Sequence, residues 1–337
     1  MTDTVDSPDT AKFLRYSDDL EQPRPDEDEL IKQIADALHG NNEWAFKKYH
    51  HGIRDAHAKS HGILRGELTV YPDLPQHLRQ GLFATPATYP VIARLSSTSG
   101  ALRNDATRGV RGLGIKVLGV HGPRALPDDD ASTQDFILVT HREFPFPDAQ
   151  AYLKRGMALA WLLARTPDPA LLFVGRTLGA VQSGLKRVGL SLPTALELFS
   201  EPNTHILGLT FYSSAPLRYG DHVAKIQYTP LSASVTALQG QLVPAGAGPD
   251  AFRDMVVEFF AANSAEYELA VHRRISIGGS RVRRMTSDAA ARSGLGSWQH
   301  AGSLQRRRSA ERLGAPAKIK PARAEQQAQS VGNCGGA

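Results

Sequence analysis

The stretch Arg54–Gly66 reads RDAHAKSHGILRG and runs directly into Glu67–Tyr71, ELTVY. Polar and apolar residues alternate in this second part, and such an alternation predicts a strand with one buried face. His57 therefore lies at the entrance of a predicted strand, where a rigid scaffold can hold a functional side chain.

The motif around His57 allows three interpretations. The first is a structural histidine whose ring nitrogens bond to the backbone. The second is a metal pair with His61, because residues four apart share one face of a helix. Strand-forming residues follow at once, no Asp or Glu separates the pair, and no cysteine cluster completes a shell, all of which count against it. The third is an acid–base histidine that moves a proton between two oxygens.

Composition limits the class of protein. The chain has 337 residues, of which 41% are hydrophobic, so it can bury a full core. A single cysteine, Cys334, excludes a disulfide within the chain and fits a reducing compartment. The acidic N-terminus lacks the apolar core of a secretory signal, and the longest apolar run, Met157–Ala164, is too short to span a membrane. We expect a soluble, cytoplasmic protein with no membrane partner.

The order of predicted elements gives the fold class. Several strands follow one another through loops, without the alternation of strand and helix that builds a parallel sheet. This predicts an α+β protein with an antiparallel sheet or barrel. The predicted strands are Tyr89–Leu95, Gly114–Val120, Phe136–Val139, His205–Tyr212, His222–Tyr228 and Tyr267–Val271, and the predicted helices are Asp26–Gly40, Asn42–Tyr49, 148–190 (broken near Thr166–Pro169) and Ala251–Ala262.

Motifs beyond His57 carry a resemblance to a known family. They are Arg94-Leu95-Ser96-Ser97, the run Arg108–Val117, Thr133–Phe136, Phe144-Pro145 and Arg218–His222. In this order the sequence resembles the haem catalase family, and within it the shorter, catalase-related haem proteins, over residues 12–271. The resemblance implies a catalase-like antiparallel β-barrel with an N-terminal helical arm and additional helices. It also implies haem b as cofactor, hydrogen peroxide or an organic hydroperoxide as substrate, and allows a homo-oligomer.

The resemblance assigns roles to six residues. None of the six is a ligand of the iron. His57 matches the distal acid–base histidine, and Ser96 matches the residue that fixes the tautomer of its imidazole. Arg54 and Arg94 match the arginines that pair with the haem propionates. Phe144 matches an aromatic residue beside the porphyrin, and Phe136 one that lines the approach channel.

The sequence departs from the family at two points. Counting without a gap from Phe136 and Phe144, the position of the distal asparagine falls at Ala131, next to Ser132 and Thr133. With this departure, a peroxidase that uses hydroperoxides and an organic reductant is as consistent with the sequence as a full catalase. The family also binds iron through a C-terminal tyrosinate, but no tyrosine follows Tyr267.

The chain divides into three predicted parts: a mobile arm over 1–22, a haem domain over 23–271 and a basic tail over 272–337. The tail holds 13 basic and three acidic residues and one aromatic residue, Trp298, so we expect it to be disordered. Without interleaved aromatic residues it does not indicate a nucleic-acid partner. Our hypothesis for the tail is a reading-frame change in a GC-rich gene.

The sequence therefore predicts a haem-dependent oxidoreductase that consumes peroxide in peroxide defence, as a catalase or a catalase-related peroxidase. The alternative is a catalytically impaired barrel that binds haem or an apolar ligand weakly, because the expected tyrosine is missing.

Overall fold

The computed structural model describes residues 14–17, 20, 23–122, 130–244, 246–273, 314–315 and 319–320. Most of the predicted N-terminal arm and most of the predicted basic tail therefore lie outside the described residues. Where the arm is described, it pairs with the chain near 222: the Tyr16 amide donates to the Asp221 carbonyl, and the Val223 amide donates to the Leu14 carbonyl. No described helix is both long and apolar enough to cross a membrane.

All described strands belong to one antiparallel sheet. Its spatial order is β10-β1-β2-β3-β4-β5-β7-β6, with β8 paired to β7 and β9 paired to β1. The strands are β1 (Ser60–Val70), β2 (Ala87–Ser97), β3 (Arg111–Leu118), β4 (Thr133–Val139), β5 (Phe211–Tyr212), β6 (Leu217–Tyr219), β7 (His222–Pro230), β8 (Tyr267–Arg273), β9 (Gly314–Ala315) and β10 (Ile319–Lys320).

The expected barrel is present only in part. Among the described residues, no ladder joins β8 to β1, so the curled sheet forms a half-barrel rather than a closed one. The outer edge of β1 is paired with β9 and β10 instead. The antiparallel α+β class is as predicted.

Helices lie before and between the strands. They are α1 (Glu27–Tyr49), α2 (Ala149–Ala151), a π-helical turn (Tyr152–Gly156), α3 (Met157–Arg165), α4 (Asp168–Arg187), α5 (Thr194–Glu197), α6 (Ala233–Thr236) and α7 (Ala251–Ala262). The predicted break at Gly40 is wrong, because α1 continues through it to His50, whose φ of 58° ends the helix. A glycine inside a helix costs only about 1 kcal/mol, which the rest of a long helix offsets.

The sheet has a core face and an outer face. Leu64, Ala93, Ile115 and Phe136 stand in register across β1 to β4, and all four are buried in the main hydrophobic core. Because side chains alternate along a strand, the preceding or following residues point the other way. The alternate row therefore belongs to the outer face, and the candidate site lies on it.

Candidate functional site

The outer face carries a row of four residues in register: Ile63, Arg94, Gly114 and Ile137. Ile63 is 61% exposed and Ile137 is 68% exposed, although both stand in the middle of paired strands. A β-carbon added to Gly114 would meet nothing within 4 Å. The row therefore forms a flat, open surface with two apolar side chains and one guanidinium, which suits a flat ligand.

His57 stands at the end of this surface, over Gly112. A β-carbon on Gly112 would lie 2.3 Å from Nδ1 of His57, so the strand needs glycine there to admit the imidazole. Nδ1 lies 2.9 Å from Oγ of Ser96, and that hydroxyl in turn donates to the Gly112 carbonyl at 3.4 Å. Ser96 faces Gly112 in the ladder, which places the imidazole, the hydroxyl and the glycine at one level of the sheet.

The backbone of His57 is held in an unusual conformation. Its φ is 54°, in the left-handed region that residues with a β-carbon rarely adopt. The His57 amide donates to the Thr98 carbonyl at 3.2 Å, and its carbonyl accepts from Nη2 of Arg94 at 2.8 Å. Arg94 thus orders the histidine segment as well as standing on the outer face.

Burial and neighbouring charges favour the neutral form of the His57 imidazole. Burial lowers its pKa, and the nearby Arg94 and Arg54 guanidinium groups lower it further, against a smaller opposing effect of Asp55. Arg54 is exposed, whereas Arg94 is half-buried with a lowered pKa, first through burial and then through Arg54. Two neighbouring cations with free surface beside them are a ready site for a carboxylate.

The two predicted aromatic residues lie in different places. Phe136 is 5% exposed and belongs to the core face, where its ring lies 6.5 Å from that of Phe83. It is not brought to the outer face; its neighbour Ile137 is. Phe144 is 54% exposed and packs with Phe146 and Tyr152, with both ring centroids 5.8 Å away.

The ladder between β3 and β4 changes the position at which a distal polar residue is sought. Thr133, two residues after Ala131, pairs with Leu118. Leu118 is six residues from Gly112 along β3, which corresponds to about 20 Å. Val139 is the residue opposite Gly112, and Thr140 follows it. The β4 residues at the level of His57 are therefore Val139 and Thr140, whereas Ala131, the position given by the gap-free count, precedes β4.

Ser97 supports a second histidine on the other side of the same strand. His61 is fully buried, its Nε2 lies 2.8 Å from Oγ of Ser97, and Nη1 of Arg111 donates to the same hydroxyl at 2.7 Å. Burial and then the charges of Arg111 and Lys59 lower the pKa of His61 to about 3. Sequence reasoning missed this second histidine site; the adjacent pair Ser96-Ser97 is the signal that could have found it, since neighbouring residues in a strand point to opposite faces.

An ion cluster around the buried Lys59 lies behind the His57 segment. Nζ of Lys59 is 2.7 Å from Oδ1 of Asp105 and 3.0 Å from Oδ1 of Asp250. It also donates to the carbonyls of Arg103 and Pro249, at 2.8 and 2.6 Å. Sequence reasoning missed this cluster, because Lys59 and Pro249 are 190 positions apart along the chain.

The donor set fits haem on one side only. The flat outer row, the two arginines and His57 suit an apolar ring with carboxylates. Among the described residues, however, no group of three or more His, Cys, Asp or Glu side chains could hold a metal ion. The phenols of Tyr219 and Tyr267 donate to the carbonyls of Leu78 and Leu207, and burial raises the pKa of Tyr228 and Tyr267, so these core tyrosines supply no phenolate to the outer face.

Comparison with known proteins gives structural similarity only. No protein-family model and no curated protein matches the sequence. Among solved structures, the fold is similar to catalase A from Saccharomyces cerevisiae, with a TM-score of 0.49 and 12% identity over 92% of this chain and 58% of that one. It is also similar to a fungal catalase (TM-score 0.47, 14% identity, 82% and 52% covered) and a bacterial catalase (0.44, 12%, 92% and 55%). The chain thus spans between half and three fifths of those catalases, and because TM-scores below 0.5 do not establish a common fold, the site rests on its own geometry.

Proposed function

We propose that this protein is a catalase-related, haem-dependent oxidoreductase that consumes hydrogen peroxide or an organic hydroperoxide, with haem b lying on the outer face of the sheet. The observation that carries the proposal is the position of His57 over Gly112, at the end of the exposed row Ile63, Arg94, Gly114 and Ile137. The resemblance of the motifs around His57, Arg94 and Ser96 to the haem catalase family supports it independently.

The outer row supports the binding part of the proposal. Exposed isoleucines in the middle of a sheet leave apolar area in water, and covering it with an apolar ring is favourable. Gly114 between them lets a flat ring approach the backbone closely. Arg94 and Arg54 are the residues that would bind the two propionates, because a guanidinium pairs well with a carboxylate.

His57 supports the catalytic part. When the Ser96 hydroxyl donates to the Gly112 carbonyl, its oxygen is free to accept from Nδ1 of His57. This arrangement places the imidazole proton on Nδ1 and leaves Nε2 as the base. Within the described part of the chain Nε2 has no hydrogen-bond partner, and the lowered pKa keeps it unprotonated at neutral pH.

Nε2 can therefore accept the proton of one peroxide oxygen and deliver it to the other, which becomes water or an alcohol. Haem, when bound, supplies the redox chemistry that cleaves the O–O bond. Val139 and Thr140, at the level of His57, offer no carboxamide to hold peroxide, so we favour a peroxidase that uses an organic reductant over a rapid catalase.

A second function is favoured by one observation. The 337 residues contain no tyrosine after Tyr267, and the described core tyrosines supply no phenolate to the outer face. Without an axial ligand, the same surface would bind haem or another flat apolar molecule weakly and without turnover.

The test is an absorption spectrum of the purified chain with and without added haemin, followed by a peroxide assay on wild type and His57→Ala. A stable haem band with activity that the substitution removes would support the proposed function. A stable band with no activity would favour the second function. A spectrum identical to that of free haemin, at micromolar haemin, would overturn both.

A further inference from the structure

The ion cluster around Lys59 lies outside the outer face, yet Lys59 is only two positions from His57 along the chain. Lys59 follows His57 and Ala58 and immediately precedes β1. Its side chain is buried, and its ammonium lies within 3.0 Å of four oxygens. An ammonium has three protons, so the four protein oxygens can accept all the hydrogen bonds that Lys59 donates.

The oxygens around Lys59 come from two other parts of the chain. Asp105 and the Arg103 carbonyl belong to the loop before β3, whereas Asp250 and the Pro249 carbonyl directly precede α7. These two parts are also joined to each other: the Asp105 amide donates to the Pro249 carbonyl at 2.9 Å, and Oδ2 of Asp105 accepts from the Phe252 amide at 2.9 Å. Asp105 itself is 1% exposed.

The conformation of His57 requires such a support. A left-handed φ at a residue with a β-carbon persists only where the surroundings impose it. The Arg94 bond to the His57 carbonyl and the amide bonds of His57 and Ala58 fix the segment on one side. Lys59 fixes it on the other, and it is the only side chain of the segment Asp55–Lys59 that the described structure buries this deeply.

We infer that Lys59, Asp105 and Asp250 are positioning residues for His57: they hold the strained segment so that the imidazole stays over Gly112 and on Ser96. This inference rests on the proposed function for its biological meaning, but its structural content does not depend on haem or peroxide. Without the cluster, the segment relaxes and the imidazole leaves Ser96 for solvent.

The experiment is an NMR titration of the His57 ring protons in the full chain without haemin, with the signal assigned through His57→Gln. The variants are Asp105→Asn and Asp250→Asn. Loss of a negative charge alone would lower the pKa of a nearby histidine, whereas release into solvent raises the lowered pKa of His57 towards about 6.5. An upward shift therefore identifies release and cannot come from the altered charge itself.

Asp254→Asn is the matched control. Asp254 lies in α7, four residues after Asp250, and is ion-paired with Arg253 at 3.0 Å, but it is exposed and belongs to no part of the site. We expect no shift of His57 in this variant. If Asp105→Asn fails to fold, the test rests on Asp250→Asn, because the Asp250 side chain is 42% exposed and its replacement disturbs the core less.

An unchanged or lowered pKa of His57 in a folded Asp250→Asn variant would overturn the inference. If the wild-type chain bound no haem or consumed no peroxide, the proposed function would be contradicted instead. The titration of His57 would still test the positioning role of the cluster in that case.

Discussion

A β-carbon on Gly112 would lie 2.3 Å from both Nδ1 and Cε1 of the His57 imidazole. The imidazole of His57 therefore excludes any residue larger than glycine at position 112. Gly112→Ala must push the ring off the strand and off Ser96. We expect a loss of about 1–3 kcal/mol in the free energy of unfolding, the usual cost of overpacking, and loss of peroxide consumption. Urea unfolding and the haemin-dependent assay measure the two effects.

Gly114→Ala is the matched comparison, two residues along the same strand and on the same face. Its β-carbon would meet nothing within 4 Å, and its φ is not in the left-handed region. We expect the free energy of unfolding to stay the same or to rise by about 0.5 kcal/mol. Equal destabilisation by both alanines would show that the His57 contact is not what position 112 requires.

The left-handed φ of His57 predicts an inverted order of substitution effects. His57→Ala keeps a β-carbon and hence the strain, whereas His57→Gly removes it. The glycine variant should therefore be more stable than the alanine variant by about 1 kcal/mol, although glycine is ordinarily the less stabilising of the two. Denaturant unfolding of both variants under identical conditions measures this. An alanine variant at least as stable as the glycine variant would contradict the conformation of His57.

Local sequence patterns identified part of this site. The R-x-x-H-A-K and R-x-S motifs gave His57, Ser96 and Arg94, and the structure brings these three together. The alternation after Gly66 gave β1, and helical spacing gave α7 with both of its observed ends, Ala251–Ala262. Each of these signals depends on residues that are close in sequence.

The rest of the site depends on register between distant strands. Phe136 and Ile137 are neighbours in an all-apolar run, so alternation alone cannot tell which one faces the core. The pairing of Gly114 with Ile137 decides it, and that pairing spans 23 residues of loop and strand. The same holds for Val139 opposite Gly112, which a count without gaps could not find, and for the Lys59 cluster. Barrel closure is likewise a property of strand edges and not of any strand's own sequence.

The outer row predicts a separation of ligand binding from stability. Ile137→Asp places a charge on the flat surface at a side chain that is 68% exposed. We expect a change of less than about 0.5 kcal/mol in the free energy of unfolding, as for most surface substitutions, but a loss of at least tenfold in haemin affinity. Absorption titration with haemin measures the affinity.

Val188→Asp provides the comparison for Ile137→Asp, since Val188 is 70% exposed but follows α4, away from the outer row. The haemin affinity of the Val188→Asp variant should equal that of wild type. A similar loss in both variants would mean that haemin binds exposed apolar side chains without a defined site.

His61 predicts how the fold responds to acid. Its pKa is lowered to about 3 in the folded chain, first by burial, against about 6.5 when unfolded. Below about pH 6.5 the unfolded chain therefore binds a proton at His61 that the folded chain does not bind. The contribution of His61 to the free energy of unfolding, present at neutral pH, is lost as the pH falls towards 3. Linkage gives about 2 kcal/mol lost between pH 7 and pH 5 from this residue.

His61→Asn tests this contribution, because asparagine does not titrate in that range and keeps an amide near Ser97. The variant should be less stable at pH 7, since the ring also packs edge-on against Phe252 at 5.1 Å between centroids. Its free energy of unfolding should nevertheless fall by about 2 kcal/mol less than that of wild type between pH 7 and pH 5. His57 and His272, whose pKa values are also lowered, keep their own contributions in both proteins. Parallel pH dependences of the two proteins would mean that His61 accepts a proton in the folded chain, with Asp105, 3.7 Å from its Nδ1, as the group that stabilises the imidazolium.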